Sequence, residues 1–218
     1  TVHQNIAAAG EDITIRTSLL EMRSIAGATS VSEQMLSTFK HWVANQPAGY
    51  FVEAKLAERD QRHARFGGTR YAVEPNVKDG KGGLRDLHTL FWISKYAYRL
   101  EHIYGILGAG ILRPSEARAF ASSQRFLWTV RCFLHQHHGR EDDRLTFDAQ
   151  MQIAPQMGFA DRSGLRGVER FMKRYYLAAR QVGNLTRIFC AALATDFDQR
   201  PRLSLRKFWV AGITHRLE

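Results

Sequence analysis

A chain of 218 residues with 44% hydrophobic and 24% charged content is long enough for a sizeable core and ordinary for a soluble globular protein. Two cysteines, Cys132 and Cys190, exclude a disulfide framework. Both sit in apolar helical contexts and read as buried free thiols of a reducing cytoplasm. No apolar run reaches the roughly 18–20 residues of a membrane helix, and the surplus of basic over acidic residues gives a net charge of +10. That surplus points to an anionic partner, either nucleotide phosphates, an acidic protein surface or, least favoured, nucleic acid.

Residues 1–10 read as the tail of a preceding element, and the chain reads as a piece of a longer protein. It opens without Met and ends at Glu218 without a boundary signal. Asp12 is placed to cap a helix over 14–25 whose stripe is Ile15, Leu19, Leu20, Met22 and Ile25, with Gly27 as the stop. Ser30 and Glu33 form an S-x-x-E box opening a second helix to Val43, with Leu36, Phe39 and Val43 inward. A third, amphipathic and highly charged, runs from Gly49 to about Ala64. It ends in Arg59, Arg62, His63 and Arg65, with Gly67-Gly68 closing it.

The connection 66–82 is long, and ordered loops of that length tend to carry function. Thr69–Val73 within it is a candidate short strand. A helix follows over 83–99, then a short helix or turn over 103–112. Pro114 fits the first position of a long helix to about His138 with Phe120, Leu127, Val130 and Leu134 as its core stripe. A polar loop over 139–147 leads to a short helix over 149–157. From Gly164 to about Thr195, Val168, Phe171, Met172, Tyr175, Ala179, Val182, Leu185, Phe189 and Leu193 keep a three-four spacing, the pattern of a long bundle helix. Residues 199–218 are basic and irregular. The expected class is mainly α: a helical bundle with long helices and few or no strands.

The most distinctive stretch is Glu74-Pro75-Asn76-Val77-Lys78-Asp79-Gly80-Lys81-Gly82-Gly83-Leu84-Arg85-Asp86-Leu87. Pro75 blocks helix before it, and Gly80, Gly82 and Gly83 permit positive φ and close backbone approach. The glycines feed a helix N-terminus, where unpaired amides and the dipole favour an anion. Lys78, Lys81 and Arg85 add cationic donors, and Asp86 is placed either to cap those amides or to hold one of the bases. Against this stand a plain turn and solvated lysines. The stretch is neither a Walker loop nor a dinucleotide fingerprint. Arg62, His63 and Arg65 either converge with Lys78 and Arg85 as a phosphate clamp or simply complement their own helix dipole. Cys132, His135, His137 and His138 lack zinc spacing, Asp196 and Asp198 lack the Gly-Ser turn of a metal-binding D-x-D, and no metal ligand is assigned. Asp143–Asp148 reads as structural, the Asp and Arg144 tying the loop down.

Glu74–Lys78 followed by Gly82–Leu90 resembles the signature of the bacterial PII uridylyltransferase/uridylyl-removing family. Thr17–Glu21 with Arg23, Gln61–His63 with Arg65, Thr69 and Tyr71, and Arg144–Asp148 with Gln150 resemble it as well. The resemblance implies that residues 1–82 are the C-terminal remnant of a nucleotidyltransferase core with its glycine-rich loop, 83–198 a helical bundle domain, and 199–218 a linker to a further domain. It implies a bifunctional parent that moves UMP from UTP, with Mg²⁺ held by residues before Thr1, onto a tyrosine of the PII nitrogen-signalling protein. A hydrolase domain would reverse the reaction, and further domains would sense glutamine. Lys78, Gly80, Gly82, Gly83, Arg85, Arg62, His63 and Arg65 would then bind the nucleotide phosphates, supported by Asp86 and Arg144. The segment alone would be inactive. The alternatives are a glutamine synthetase adenylyltransferase-like segment and a non-catalytic, basic helical interaction module.

Overall fold

A computed structural model describes residues 1–100, 105, 110, 112–162 and 164–198, so most of the expected 103–112 element and all of 199–218 lie outside the described residues. Among them are eight helices and no strand: α1 (Val2–Glu11), α2 (Ile13–Leu20), α3 (Thr29–Ala44), α4 (Ala48–Arg65), α5 (Leu84–Ala97), α6 (Pro114–His138), α7 (Phe147–Gln156) and α8 (Gly167–Asp198). The protein is mainly α, as its periodicities require.

Local chemistry sets most boundaries. Asp12 caps α2, its Oδ1 accepting from the amides of Thr14 (2.6 Å) and Ile15 (3.3 Å). The preceding residues are themselves helical, opened by a Thr1–Gln4 capping box. α2 stops at Leu20 rather than near Ile25. Ile25 stands 87% exposed, so the last third of that apolar stripe has no core to enter. The Ser30 box is also corrected. α3 begins at Thr29 behind Ala28 and has no side-chain cap, because Ser30 already lies inside the helix. Met35, not Leu36, joins Phe39 and Val43 in the core. Pro114 opens α6 and Gly139, at φ +63°, ends it. Where the strand was expected, Val73 faces solvent and its carbonyl accepts from the Gln150 side chain at 2.7 Å. The extended pairing lies further on, an isolated bridge between Asn76 and Arg144.

α8, about 48 Å long at the usual rise, is the spine, packing on α5, α6 and α7. Phe171, Tyr175, Ala178, Ala179, Val182, Leu185, Phe189 and Leu193 are buried along it. α4 packs on α5, α2 also touches α5, and α1 packs on both α2 and α3. One hydrophobic cluster runs from Ala9 through Phe51, Leu87 and Leu127 to Leu193, crossing position 82. At its N-terminal end Arg16 donates to the carbonyls of Ala9 (2.7 Å) and Gly10 (2.9 Å) and lies over Trp42, Tyr50 and Tyr96.

Cys132 is exposed and Cys190 half-buried, so only the second approaches the buried thiol expected. Cys132 sits on the outer face of α6, one position off the stripe that buries Leu127, Val130 and Leu134. Among the described residues no helix is long and apolar enough to cross a membrane.

Candidate functional site

The glycine-rich turn joins α4 to α5 and rests against α8. All three glycines are buried, and each is required by close packing. A Cβ at Gly80 would meet the Asn76 carbonyl oxygen at 2.5 Å, and one at Gly83 the Val77 carbonyl oxygen at 2.7 Å. Gly82 has φ +83° and would strike the Ala179 carbonyl oxygen of α8 at 2.6 Å.

The expected amide cradle is corrected by where these amides donate. Gly80 donates to Asn76 O (3.0 Å), Gly83 to Gly80 O (2.9 Å), Leu84 to Val77 O (3.0 Å) and Arg85 to Lys78 O (2.8 Å). Gly82 donates to Asp86 Oδ2 at 2.8 Å. The Asn76 side chain holds the amides of Lys78 (3.1 Å) and Asp79 (2.6 Å). The donors that a helix N-terminus usually leaves open are closed by the chain itself.

Asp86 is the hub. Its carboxylate, 2% exposed as a residue, accepts from Arg62 Nη2 at 2.5 Å, lies 2.8 Å from His63 Nε2, and holds the Gly82 amide. Burial pushes the carboxyl up, but the His63 contact, the Gly82 amide and the Arg62 charge outweigh it and hold Asp86 below its ordinary value. Of the two roles open to Asp86, it fills both. Arg62 and His63 are therefore turned inward, not toward a phosphate.

The other predicted cations do not join them. Lys78 pairs with Glu141 (3.0 Å) and lies 3.7 Å from Asp143. Asp143 also holds Arg131 (2.6 Å) and His135 (3.0 Å), which ties the 139–146 loop to α6. Arg85 contacts Asp79 at 3.4 Å and lies over Trp92. Arg65 is exposed and pairs with no carboxylate among the described residues. Arg144 bonds Glu74 at 2.7 Å, and Glu74 also accepts from the Phe147 amide at 3.0 Å. The predicted clamp is thus dispersed: Arg62, His63, Lys78 and Arg85 each meet a carboxylate of the chain itself, and Arg65 stands apart on the surface. His88 lies between Trp92 and Trp128. Burial, with Arg85, Arg131 and Arg62 around it, pushes it down to about 4, so it is neutral near pH 7.

A cavity of about 270 Å³ opens beside the turn, lined among others by Thr69, Arg70, Glu74, Asn76, Lys81 and Arg144. Arg70 was not singled out in the sequence. It stands in an aperiodic loop, and the surface that seats it, at Gly183 on α8, is remote in the chain. Among the described residues no group of three or more His, Cys, Asp or Glu could hold a metal ion.

Residues 50–190 match the family model described as GlnD PII-uridylyltransferase. The chain is 51% identical over 194 residues to a bifunctional uridylyltransferase/uridylyl-removing enzyme of Azospirillum brasilense, covering 89% of this chain and 21% of that one. It is 49% identical over 205 residues to the Rhodospirillum rubrum protein of the same description, covering 94% and 22%. The Nitrobacter hamburgensis protein is 50% identical over 193 residues, covering 88% and 21%. The chain thus spans about a fifth of the length of these curated relatives. No solved structure matches it. With well over half of its length matched by one model, this chain belongs to the GlnD PII-uridylyltransferase family.

Proposed function

We propose that the chain is the helical segment of an enzyme that transfers UMP from UTP to a tyrosine of a PII-type signal protein, and that other parts of the same polypeptide remove it. What carries the reading is the match to bifunctional relatives at about 50% identity over some nine-tenths of this chain. Within that enzyme the segment has two tasks. The Asp86 hub and the buried glycine turn lock α4, α5 and α8 into one rigid support. The basic rim beside the turn, with Arg70, Lys81 and the exposed Arg65, attracts the nucleotide's phosphates. Guanidinium and ammonium groups near a scissile phosphoanhydride bind the ground state and stabilise charge that builds on the leaving pyrophosphate. Metal-bound chemistry and glutamine sensing belong to other parts of the polypeptide, so the segment alone does not transfer UMP. A reducing cytoplasm suits its free thiols.

The full-length protein, incubated with UTP and a PII protein, is expected to add one UMP per modified tyrosine, read by intact-mass and fragment spectra. Transfer of AMP from ATP to glutamine synthetase instead, with none to PII, would move the assignment to the adenylyltransferase relatives. Absence of any nucleotidyl transfer would leave the interaction-module reading.

A further inference from the structure

Two cations in the cavity beside the glycine turn, Arg70 and Lys81, make no direct ion pair among the described residues. Arg144 is neutralised by Glu74, whose other oxygen is taken by the Phe147 amide. Lys81 makes no ion pair or hydrogen bond among the described residues, while the Arg70 Nε is buried without any hydrogen-bond partner. Burial first, and the neighbouring Arg70 charge second, push the Lys81 ammonium below its ordinary value against the more distant pull of the Asp86 and Asp60 carboxylates, which places the two cations within each other's field. Leaving a buried N–H orphaned beside a second like charge costs stability unless something outside the described residues satisfies both.

Arg70 is also held in place. A Cβ on Gly183 would lie 2.6 Å from Arg70 Cζ and Nε and 2.7 Å from Nη2, so the guanidinium rests on the bare backbone of α8. Only glycine leaves room for it there. The cavity is about 270 Å³, just under the roughly 300–1,000 Å³ of sites that enclose a whole small ligand. It has room for a chain of phosphates.

We infer that Arg70 and Lys81, with Gly183 as the seat of Arg70, form a polyphosphate site that takes the triphosphate tail of the nucleotide, in place of the closed amides of the glycine turn. This deepens the nucleotide reading above and rests on it for the identity of the ligand. Arg70 supplies a planar fork and Lys81 a compact charge, a pairing suited to two neighbouring phosphate groups. Glu74 keeps Arg144 at the rim and excludes anions from that side.

The test is calorimetric titration of the full-length protein with sodium tripolyphosphate, UTP and uridine, in EDTA so that no metal bridges phosphates elsewhere. Lys81→Met removes one charge from a loop. Gly183→Ala keeps every charge and displaces Arg70. Each is expected to weaken tripolyphosphate and UTP about tenfold or more, the effect of one charge-assisted hydrogen bond, and to leave uridine unaffected. Should Gly183→Ala fail to fold, Lys81→Met decides alone. Unchanged affinity for both phosphate ligands, or a wild-type protein that binds neither, overturns the site. Lys81-dependent binding of tripolyphosphate by a protein that transfers no UMP would uphold the site and defeat the nucleotide reading instead.

Discussion

Asp86 shows how one buried carboxylate can replace a ligand as the organiser of a basic cluster. Its three donors arrive from the end of α4 and from the glycine turn, and removing it leaves Arg62 charged and enclosed. Breaking a buried pair in this way costs about 3–5 kcal/mol, so Asp86→Asn is expected to lower the unfolding free energy by about that amount in urea, followed by tryptophan fluorescence. The depressed carboxyl fixes the pH dependence. The stabilisation is complete above the ordinary value of 3.8 and is lost as pH falls through the lower folded value. The gap between wild type and Asp86→Asn should be constant from pH 5 to 7 and shrink below about pH 4. His88 behaves differently. Its folded value of about 4 lies below the ordinary 6.5, so between these limits the unfolded chain binds the extra proton. Stability should fall on acidification by up to about 1.4 kcal/mol per pH unit across that window. His88→Phe, which keeps a ring between Trp92 and Trp128, should remove that component from the pH profile.

At the scale of elements, the glycine turn is where the sequence invited one reading and the packing supports another. Glycines before a helix can expose amides to an anion or let backbone segments approach closely, and the residues alone do not distinguish the two. The deciding neighbour, the Ala179 carbonyl on α8, is far away in the chain. Gly82→Ala should therefore act as a folding mutation. A left-handed φ for a side-chain residue costs about 1–3 kcal/mol, and the clash with α8 adds to it, so a drop of at least about 2 kcal/mol in unfolding free energy is expected. The helices themselves were legible because their apolar spacing is self-contained. Pro114 to His138, the α8 stripe, the Asp12 cap and the Gly67-Gly68 stop after α4 all follow from local chemistry. The Ser30 box and the extension of α2 to Ile25 were not, because starting and stopping there depend on what the core leaves uncovered. The Asp143 network was half legible. A structural loop was expected, but its partners Arg131 and His135 lie on α6.

For the molecule as a whole, α8 is the element on which the other parts register. It buries one face against α5, α6 and α7 and presents Ala179 to the glycine turn and Gly183 to Arg70. Truncating Phe171, fully buried and in contact with Phe126 and Phe159, should cost about 3–5 kcal/mol in the Phe171→Ala protein. The same spine would place a basic rim and a rigid turn at fixed distance from one another in the full-length enzyme. The turn from Gly80 to Asp86 is a closed latch, and the proposed phosphate site lies beside it and not on it. Residue-resolved amide hydrogen exchange on the full-length protein, with and without UTP, tests this most directly. Strong protection of the Gly82, Leu84 and Arg85 amides is expected before any nucleotide is added, with added protection from UTP confined to the Arg70–Lys81 side. Rapid exchange of those three amides in the free enzyme, with protection appearing only on binding UTP, would contradict it.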